Sequence, residues 1–432
     1  MIKEIQQVAV LVAADINSNP RFEYSVKELV NLTLACNIEV AGTITQNLHQ
    51  VHARHYVGQG KLEEIRAMVE ATDANLCIFN TELTPSQLRK IEEILECKII
   101  DRTMLILEIF NTRANTKESQ LQVDIAKLRY FLPRLSGLRS SLGRQAGGVG
   151  TKNKGLGEKK LELDRRRIEN QILLMQGELK EIISQRQTQR SWRKKEGIKT
   201  VALVGYTNAG KSTLMNTIID MYIADHDVEK KVFTKDMLFA TLQTAVRRIE
   251  MPDNRSFLLT DTVGFVSDLP HHLVDAFKST LEEIKEADLL VHVVDCSDES
   301  AAEMIMVTTQ TLEALGAKNM PTIYAYNKAD LLPKDQLIAP AGEDIFYISA
   351  LSGMGMEALI GGIVANIYAH YRRYQISIPY TRGDITAYYH QNTKIEVENF
   401  TSDATELTVV CSEKKANKFK DSGILITLLD ED

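Results

Sequence analysis

The chain has 432 residues, of which 44% are hydrophobic and 25% are charged, and its formal net charge is −7. This length exceeds one ordinary core, so we expect roughly two to four domains, and the composition is typical of a globular protein. The negative charge argues against adhesion of the whole surface to nucleic acid, although it leaves room for a local basic patch.

Two further features bear on location. No apolar run approaches the ~20 residues that span a membrane, so we expect no membrane anchor. The N-terminal sequence lacks a small-residue cleavage site and is interpreted as a first strand rather than a signal peptide. The five cysteines, which show no CxxC spacing, predict free thiols in a reducing cytoplasm, where we expect the protein to be located. They are Cys36, Cys77, Cys97, Cys296 and Cys411.

Residues 1–115 alternate strand-like and helix-like segments, a pattern typical of a small parallel α/β domain. An early apolar run, VAVLVA, predicts the first strand. Ser25, with Glu28 three residues later, predicts a capping box that opens the next helix. Thr84 and Pro85 predict the N-cap and the first turn of a later helix.

Residues 116–195 carry two helical seams joined by a glycine-rich tip. Apolar residues spaced mainly by three and four predict two helices that pack as an antiparallel hairpin, each on the order of 30 Å long at ~1.5 Å per residue. The seam residues are Leu121, Ile125, Leu128, Leu132 and Leu135 in the first helix, and Leu161, Ile168, Ile172, Met175, Leu179 and Ile182 in the second.

The predicted tip of the hairpin, residues 139–158, combines many glycines with Arg139, Arg144, Lys152 and Lys154. One interpretation is a solvated loop. The other, which we favour, is contact with RNA, because glycines let the backbone approach phosphates and the cations neutralise them.

The sequence GYTNAGKS follows an apolar strand and has Walker A spacing at Gly205, Gly210, Lys211 and Ser212. The glycines allow backbone N–H groups to surround phosphates, and the helix that follows adds its dipole. We expect Lys211 to reach the β- and γ-phosphates and the Ser212 hydroxyl to bind Mg²⁺. The strand, loop and helix together predict a nucleotide site.

The segment NKAD at 327–330 ends another apolar strand and indicates the base. The Asp330 carboxylate can accept hydrogen bonds from N1–H and N2–H₂ of guanine, donors that adenine does not present there. We expect the Asn327 amide at the other edge of the base and the Lys328 stem on its face. A backbone N–H within Ser349-Ala350-Leu351 is expected to donate to O6.

Two segments between these motifs complete the pattern of a GTP site. Thr241, within FATL, is expected to complete the Mg²⁺ shell when the γ-phosphate is present, and Asp261-Thr262-Val263-Gly264 to hold metal-bound water and sense that phosphate. We assign catalytic roles to Lys211, Thr241 and Gly264, and metal binding to Ser212 and Thr241. The predicted nucleotide-binding residues are Gly205, Tyr206, Thr207, Asn208, Ala209, Gly210, Lys211, Ser212, Thr213, Phe239, Ala240, Thr241, Leu242, Gln243, Asp261, Thr262, Val263, Gly264, Asn327, Lys328, Ala329, Asp330, Ser349, Ala350 and Leu351.

Over nearly its whole length the chain resembles the HflX family of bacterial GTPases. It departs from the family pattern at Leu156, where the family tends to have proline, and at Gln243, where the family usually has aspartate. The segments that carry the resemblance are YVGQGKLEEI (56–65), IDRTMLILEIF (100–110), LRYFLPRL (128–135), GGVGTKNKGLGEKKLELDRRR (147–167), FATL (239–242) and DTVGF (261–265).

This resemblance implies a cytoplasmic GTPase that associates with the large (50S) ribosomal subunit and acts in ribosome biogenesis, rescue or recycling. The N-terminal domain and the hairpin tip are then expected to contact ribosomal RNA, with Mg²⁺ and GTP or GDP as cofactors. We expect a monomer. The predicted fold class is α/β, with a parallel α/β domain (1–115), the helical hairpin (116–195), a P-loop GTPase domain (198–371) and a small α+β domain (374–432).

Phe265 raises the question of how hydrolysis is catalysed, because Ras-like enzymes have a water-orienting glutamine at this position. We expect Phe265 to pack away from the site, so that backbone groups, Mg²⁺ and Lys211 stabilise the transition state. Intrinsic turnover is then slow and is stimulated by the ribosome. The alternative is a non-catalytic, GTP-gated RNA-binding module.

A third hypothesis, an ATP-driven RNA remodeller, rests only on the sequence GQGK at 58–61. This sequence lacks the Walker spacing, and we interpret it as the entry turn of a helix instead.

Overall fold

The computed structural model describes residues 7–135, 153–195, 197–222, 239, 244–267, 283–333 and 344–429, with side chains left out at 153–161, 189–190 and 192–195. Within these ranges, no helix is both long enough and apolar enough to cross a membrane. The five cysteines are free thiols.

The first part of the chain forms a four-stranded parallel sheet with the order β2-β1-β3-β4. Helices cover both faces, because each strand returns to the parallel direction through a helix. The elements are β1 (Val8–Ile16), α1 (Phe22–Ala35), β2 (Glu39–Leu48), α2 (Gln59–Thr72), β3 (Leu76–Phe79), α3 (Pro85–Leu95), β4 (Lys98–Asp101) and α4 (Arg102–Arg113).

The predicted capping box at Ser25 is wrong. Helix α1 begins one turn earlier, at Phe22, after a turn in which the Asn19 side chain accepts from the Arg21 N–H at 3.0 Å. Ser25 lies inside the helix and its hydroxyl accepts from Asn80 at 2.8 Å. Glu28 is buried, and its carboxylate pairs with Arg102 instead of capping the start of the helix.

The other two predictions of helix starts in this domain are confirmed. Thr84 caps α3 and forms a capping box with Gln87, which follows Pro85 in the first turn. Gly58 is the N-cap of α2, and its N–H donates to Gln46 at 2.9 Å. Lys61 forms an ion pair with Glu64 at 2.6 Å in that helix. The GQGK sequence is therefore a helix entry.

The middle region contains α5 (Lys117–Phe131) and α6 (Asn153–Lys195), which pack on each other. Ion pairs join Lys117 to Glu178 at 2.8 Å and Glu118 to Arg186 at 2.9 Å. Helix α6 has 43 residues, about 65 Å at ~1.5 Å per residue, and is much longer than predicted. Its first turns include residues 153–158, which the sequence predicts as part of the loop at the tip, so that part of the prediction is wrong. Residues 139–152 of the predicted tip lie outside the described part of the chain.

The second sheet has six strands in the order β10-β9-β8-β5-β7-β6, and only the pair β6–β7 is antiparallel. Its elements are β5 (Lys199–Val204), α7 (Lys211–Tyr222), β6 (Ala245–Glu250), β7 (Ser256–Asp261), β8 (Leu289–Asp295), α8 (Ala301–Ala314), β9 (Thr322–Asn327), β10 (Ile345–Tyr347) and α9 (Met356–Ile367). The carboxyl ends of β5, β7, β8 and β9 meet at one edge, which is where ligands bind in open α/β sheets.

The C-terminal sheet is antiparallel, with the order β12-β13-β11-β14. Its elements are β11 (Arg372–Pro379), α10 (Gly383–Asn392), β12 (Lys394–Phe400), β13 (Ala404–Cys411), α11 (Glu413–Ala416) and β14 (Leu425–Leu428). Strand β12 lies at the edge of this sheet, and its residues are largely exposed. The three sheets agree with the predicted α/β fold class, whereas the domain boundaries stay predictions.

Candidate nucleotide-binding site

The Walker loop connects β5 to α7 at the carboxyl edge of the six-stranded sheet. Gly205 has φ 145° and Gly210 has φ 92°, both in the region that favours glycine. A Cβ on Gly205 would lie 2.2 Å from the Val293 carbonyl oxygen, and one on Gly210 would lie 2.2 Å from Asn327 Nδ2. The two glycines are thus required by close packing on neighbouring strands.

Lys211 and Ser212 lie at the start of α7, where phosphate and metal are expected. The Lys211 ammonium donates to the Gly205 carbonyl at 3.0 Å and to the Tyr206 carbonyl at 2.6 Å. Burial lowers the pKa of Lys211 to about 8, although the negative charge of Asp261 acts to raise it. The Ser212 hydroxyl donates a hydrogen bond to Asp261 Oδ2 at 2.6 Å. Two oxygen atoms of the kind that Mg²⁺ prefers as ligands therefore lie side by side.

The base end of the site is held together by Asn327. Its Nδ2 donates to the Ala209 carbonyl at 2.9 Å, and its Oδ1 accepts from the Ala350 N–H at 2.9 Å. Asn327 thus links the Walker loop to the loop after β10. Its Nδ2 group has a second hydrogen to donate, so the contact of Asn327 with the edge of the base stays a prediction. Lys328 has φ 64° and pairs with Asp295 at 2.6 Å.

Two of the other residues predicted to contact the base are exposed. Asp330 is exposed, and Leu351 is 86% exposed. The Ser349 hydroxyl accepts from the Ser352 N–H at 3.1 Å, which closes the turn that carries Ala350 and Leu351. Asp330 and Leu351 thus lie on exposed loops that follow β9 and β10, and their contacts with guanine stay predictions.

The segment after β7 closes onto the Walker loop. Phe265 N–H donates to the Gly205 carbonyl at 3.2 Å, and Thr207 N–H donates to the Phe265 carbonyl at 2.8 Å. Gly264 lies so close that a Cβ there would be 2.8 Å from Thr207 Cα and 2.9 Å from Lys211 Nζ. We call residues 261–267 the switch segment. Its backbone forms a bridge to the Walker loop, beside the end of the Lys211 side chain.

The Phe265 side chain is 3% exposed and packs among buried apolar residues, as expected. Its neighbours in this cluster include Ala202, Val204, Ile284 and Leu290. The residue therefore neither orients water nor faces the site. Thr262 likewise points away, because its hydroxyl donates to the Leu203 carbonyl at 2.7 Å.

The predicted FATL residues are only partly described. Ala240, Thr241, Leu242 and Gln243 lie outside the described residues, so the second metal ligand is not located. Phe239 is buried, with its ring centroid 4.7 Å from that of Phe110 in α4. It packs in the core of the N-terminal domain and not against the Walker loop.

Sequence reasoning missed a group of buried polar residues that joins the N-terminal domain to the Walker loop. Glu28 in α1 accepts hydrogen bonds from Arg102 at the start of α4 and from the Tyr206 hydroxyl. Ser267 completes the group, which we call the interdomain node. The only hint in the sequence was that Glu28 and Arg102 are charged residues next to apolar segments.

Comparisons with known proteins agree with this architecture. Family models described as GTP-binding GTPase N-terminal, GTP-binding GTPase Middle Region and 50S ribosome-binding GTPase match residues 23–111, 113–193 and 200–328. A GTPase HflX from Caldanaerobacter subterraneus subsp. tengcongensis is 44% identical over 91% of this chain and 88% of its own length.

A GTPase HflX from Alkalihalophilus pseudofirmus is 39% identical over 97% of this chain and 99% of its own. Among solved structures, a GTP-binding protein from Sulfolobus solfataricus in complex with GDP is similar with 23% identity and a TM-score of 0.43, covering 84% of this chain and 99% of that one.

Proposed function

The chain belongs to the HflX family of GTPases and hydrolyses GTP, and from this premise we propose that it acts in the cytoplasm as a Mg²⁺-dependent factor on the large ribosomal subunit. Its role is then in ribosome biogenesis, rescue or recycling. The observation that carries the nucleotide part of this proposal is that Asn327 bonds to both Ala209 and Ala350, which brings together the motifs expected to bind phosphate and base.

In the proposed complex, Lys211 binds the β- and γ-phosphates, and Ser212 and Thr241 are Mg²⁺ ligands. Two observations support this placement of phosphate and metal: the buried ammonium lies at the start of α7, and Ser212 lies beside Asp261. When bound, Mg²⁺ neutralises charge that develops on the phosphates. The Gly264 N–H donates to the γ-phosphate once the switch segment has opened.

Guanine is selected in this proposal by Asp330, which accepts from the base, and by the backbone of Ala350 and Leu351, which donates to O6. Support comes from the exposure of Asp330 and Leu351 on loops whose positions are already set. Because GDP and GTP carry the same base, guanine contributes affinity equally to both nucleotides.

The proposed partner surface is the N-terminal domain together with the hairpin, whose tip contacts ribosomal RNA. The length of α6 supports this, because a helix of about 65 Å projects its end far from the six-stranded sheet. The cations at Arg144, Lys152 and Lys154 supply the charge for phosphate contact.

Because Phe265 supplies no group to the attacking water, intrinsic turnover should be on the order of that of Ras alone, ~10⁻⁴–10⁻³ s⁻¹. The ribosome is the proposed activator. The test is phosphate release under multiple turnover with and without large subunits, for wild type and for a triple alanine variant at Arg144, Lys152 and Lys154.

We expect large subunits to stimulate the wild type. The triple variant should need more subunits for half-maximal stimulation and show a shallower salt dependence, by about one counterion per cation removed. Its turnover without ribosomes should match wild type, because the tip is remote in sequence from the pocket. Absence of stimulation in the wild type would contradict the ribosomal part of the proposal, and equal salt slopes would place RNA contact elsewhere.

A further inference from the structure

The interdomain node is a cluster of buried polar groups between the N-terminal domain and the Walker loop. Glu28, Arg102 and Tyr206 are each no more than 3% exposed. The Glu28 carboxylate accepts from the Arg102 guanidinium and from the Tyr206 hydroxyl. Burial raises the pKa of Glu28, while the Arg102 charge and the Tyr206 hydroxyl oppose that rise. A buried ion pair of this kind is costly to break from one side, so it holds its partners in one arrangement.

The node also binds the switch segment directly. Ser267 N–H donates to the Tyr206 hydroxyl at 2.7 Å, and the two hydroxyl oxygens are 2.8 Å apart. Arg102 Nη2 donates to the Ser267 carbonyl at 3.1 Å. Ser267 is therefore held by both its side chain and its backbone, three residues after Gly264.

Apolar contacts reinforce the attachment. Val263 and Val266 of the switch segment lie in the same buried cluster as Leu29 of α1 and Ile106 of α4. Phe239, from the FATL segment, packs on Phe110 in this cluster. The N-terminal domain thus contacts both the switch segment and the FATL segment, the two segments expected to respond to the γ-phosphate.

The held arrangement leaves little room between Lys211 and Gly264, the two groups proposed to bind the γ-phosphate. A Cβ on Gly264 would be 2.9 Å from Lys211 Nζ and 2.8 Å from Thr207 Cα. The bridge also engages the Thr207 and Phe265 N–H groups with carbonyls across it. A diphosphate is bound by the Walker loop and needs no hydrogen bond from Gly264, so it makes no demand on this bridge.

Building on the proposed GTP site, we propose that Glu28, Arg102 and Tyr206 are positioning residues that hold the switch segment closed and so make the protein favour GDP over GTP. Binding of the γ-phosphate then requires the node to release Ser267. A partner that moves the N-terminal domain and opens the node then raises the affinity for GTP. Because such coupling is reciprocal, GTP raises the affinity for that partner by the same factor.

The test uses the full-length Tyr206→Phe variant, which loses one hydroxyl and keeps the ring. We measure its affinities for GDP and for a non-hydrolysable GTP analogue. Losing the hydroxyl removes its hydrogen bonds to Glu28 and Ser267, so the affinity for the analogue relative to GDP should rise ~10-fold. The matched control is Tyr368→Phe, which removes a buried hydroxyl that donates to the Ser256 carbonyl at 2.9 Å in the same sheet domain. The control should leave the ratio unchanged.

A second measurement follows amide hydrogen exchange in α1. The analogue, but not GDP, should increase exchange at the residues around Glu28 in the wild type, because the node must open. An unchanged affinity ratio in Tyr206→Phe, or a parallel loss of both affinities, would overturn the inference and leave the node a purely structural contact. Failure of the wild type to bind either nucleotide would refute the proposed function instead.

Discussion

The two ends of the nucleotide site are held in different ways. At the base end, Asn327 joins Ala209 to Ala350 through contacts that lie within the six-stranded sheet domain. At the phosphate end, Tyr206 and Ser267 are bound by Glu28 and Arg102 of the N-terminal domain. One end is held by contacts within a single domain, and the other is held by a second domain.

Because of this difference, we expect the base end to set the affinity for guanine nucleotides and the phosphate end to set the response to the γ-phosphate. In the proposed complex, the base end recognises guanine in GDP and in GTP alike, since the two nucleotides carry the same base. The phosphate end is the only place where the two nucleotides differ, and there the switch segment rests against Lys211. A protein built in this way can retain guanine nucleotide throughout its cycle while its response to the γ-phosphate is controlled by another domain.

The largest effect should come from the phosphate end. Lys211→Ala and Ser212→Ala should each reduce turnover by about 10³-fold or more, because the first removes a cation that stabilises the transition state and the second removes a proposed Mg²⁺ ligand. Single-turnover phosphate release at saturating GTP measures this loss. Turnover at the wild-type rate in either variant would mean that hydrolysis takes place at another site.

A smaller effect is expected at the base end. Asp330→Asn should weaken GTP binding by roughly 10²-fold, since hydrogen bonds from guanine to a carboxylate are lost. Binding of xanthosine triphosphate should improve, because the new amide donates to the 2-oxo group. Competition titrations with both nucleotides measure the change.

When it is saturated with xanthosine triphosphate, the Asp330→Asn variant should hydrolyse this nucleotide at the rate at which wild type hydrolyses GTP. That result is expected because the phosphate end is unaltered. Unchanged GTP affinity without any gain for the xanthine nucleotide would show that the base pocket lies elsewhere.

The smallest effect concerns the strand beneath the phosphate end. His292 in β8 lies beside Val204, the last residue before the Walker loop, and burial lowers its pKa to about 4 with help from the Lys211 charge. Since the folded state disfavours the imidazolium, its stability is full above the ordinary pKa of ~6.5 and falls as the pH drops toward 4. Between pH 7 and pH 5.5 this group alone should cost about 1 kcal/mol.

Urea unfolding at these two pH values measures the difference. The His292→Asn variant should lose this part of the acid sensitivity, whereas His49→Asn, at an exposed position, should keep it. Equal pH dependence of the His292 variant and the wild type would show that protonation of this residue is not what destabilises the sheet in acid.

Much of the site could be predicted because its chemistry is local in sequence. Close backbone approach to phosphate demands glycine at 205 and 210, and the lysine, serine and NKAD residues follow strands whose apolar runs are plain. The α/β alternation was equally visible in the order of apolar runs. The hydrogen bonds of Asn327 could not be predicted, because its partners Ala209 and Ala350 come from loops distant in sequence.

The sequence by itself determined the nucleotide motifs, the strands and helices with strong periodicity, and the family resemblance. Tertiary structure alone decided that Glu28, which has the spacing of a capping box with Ser25, lies instead in a buried ion pair with Arg102. It also decided that Tyr206, 178 positions away from Glu28, shares that site. Local patterns record the preferences of the backbone nearby, whereas a buried charge goes wherever the fold supplies its counter-charge, because leaving it unpaired costs more than losing a helix cap.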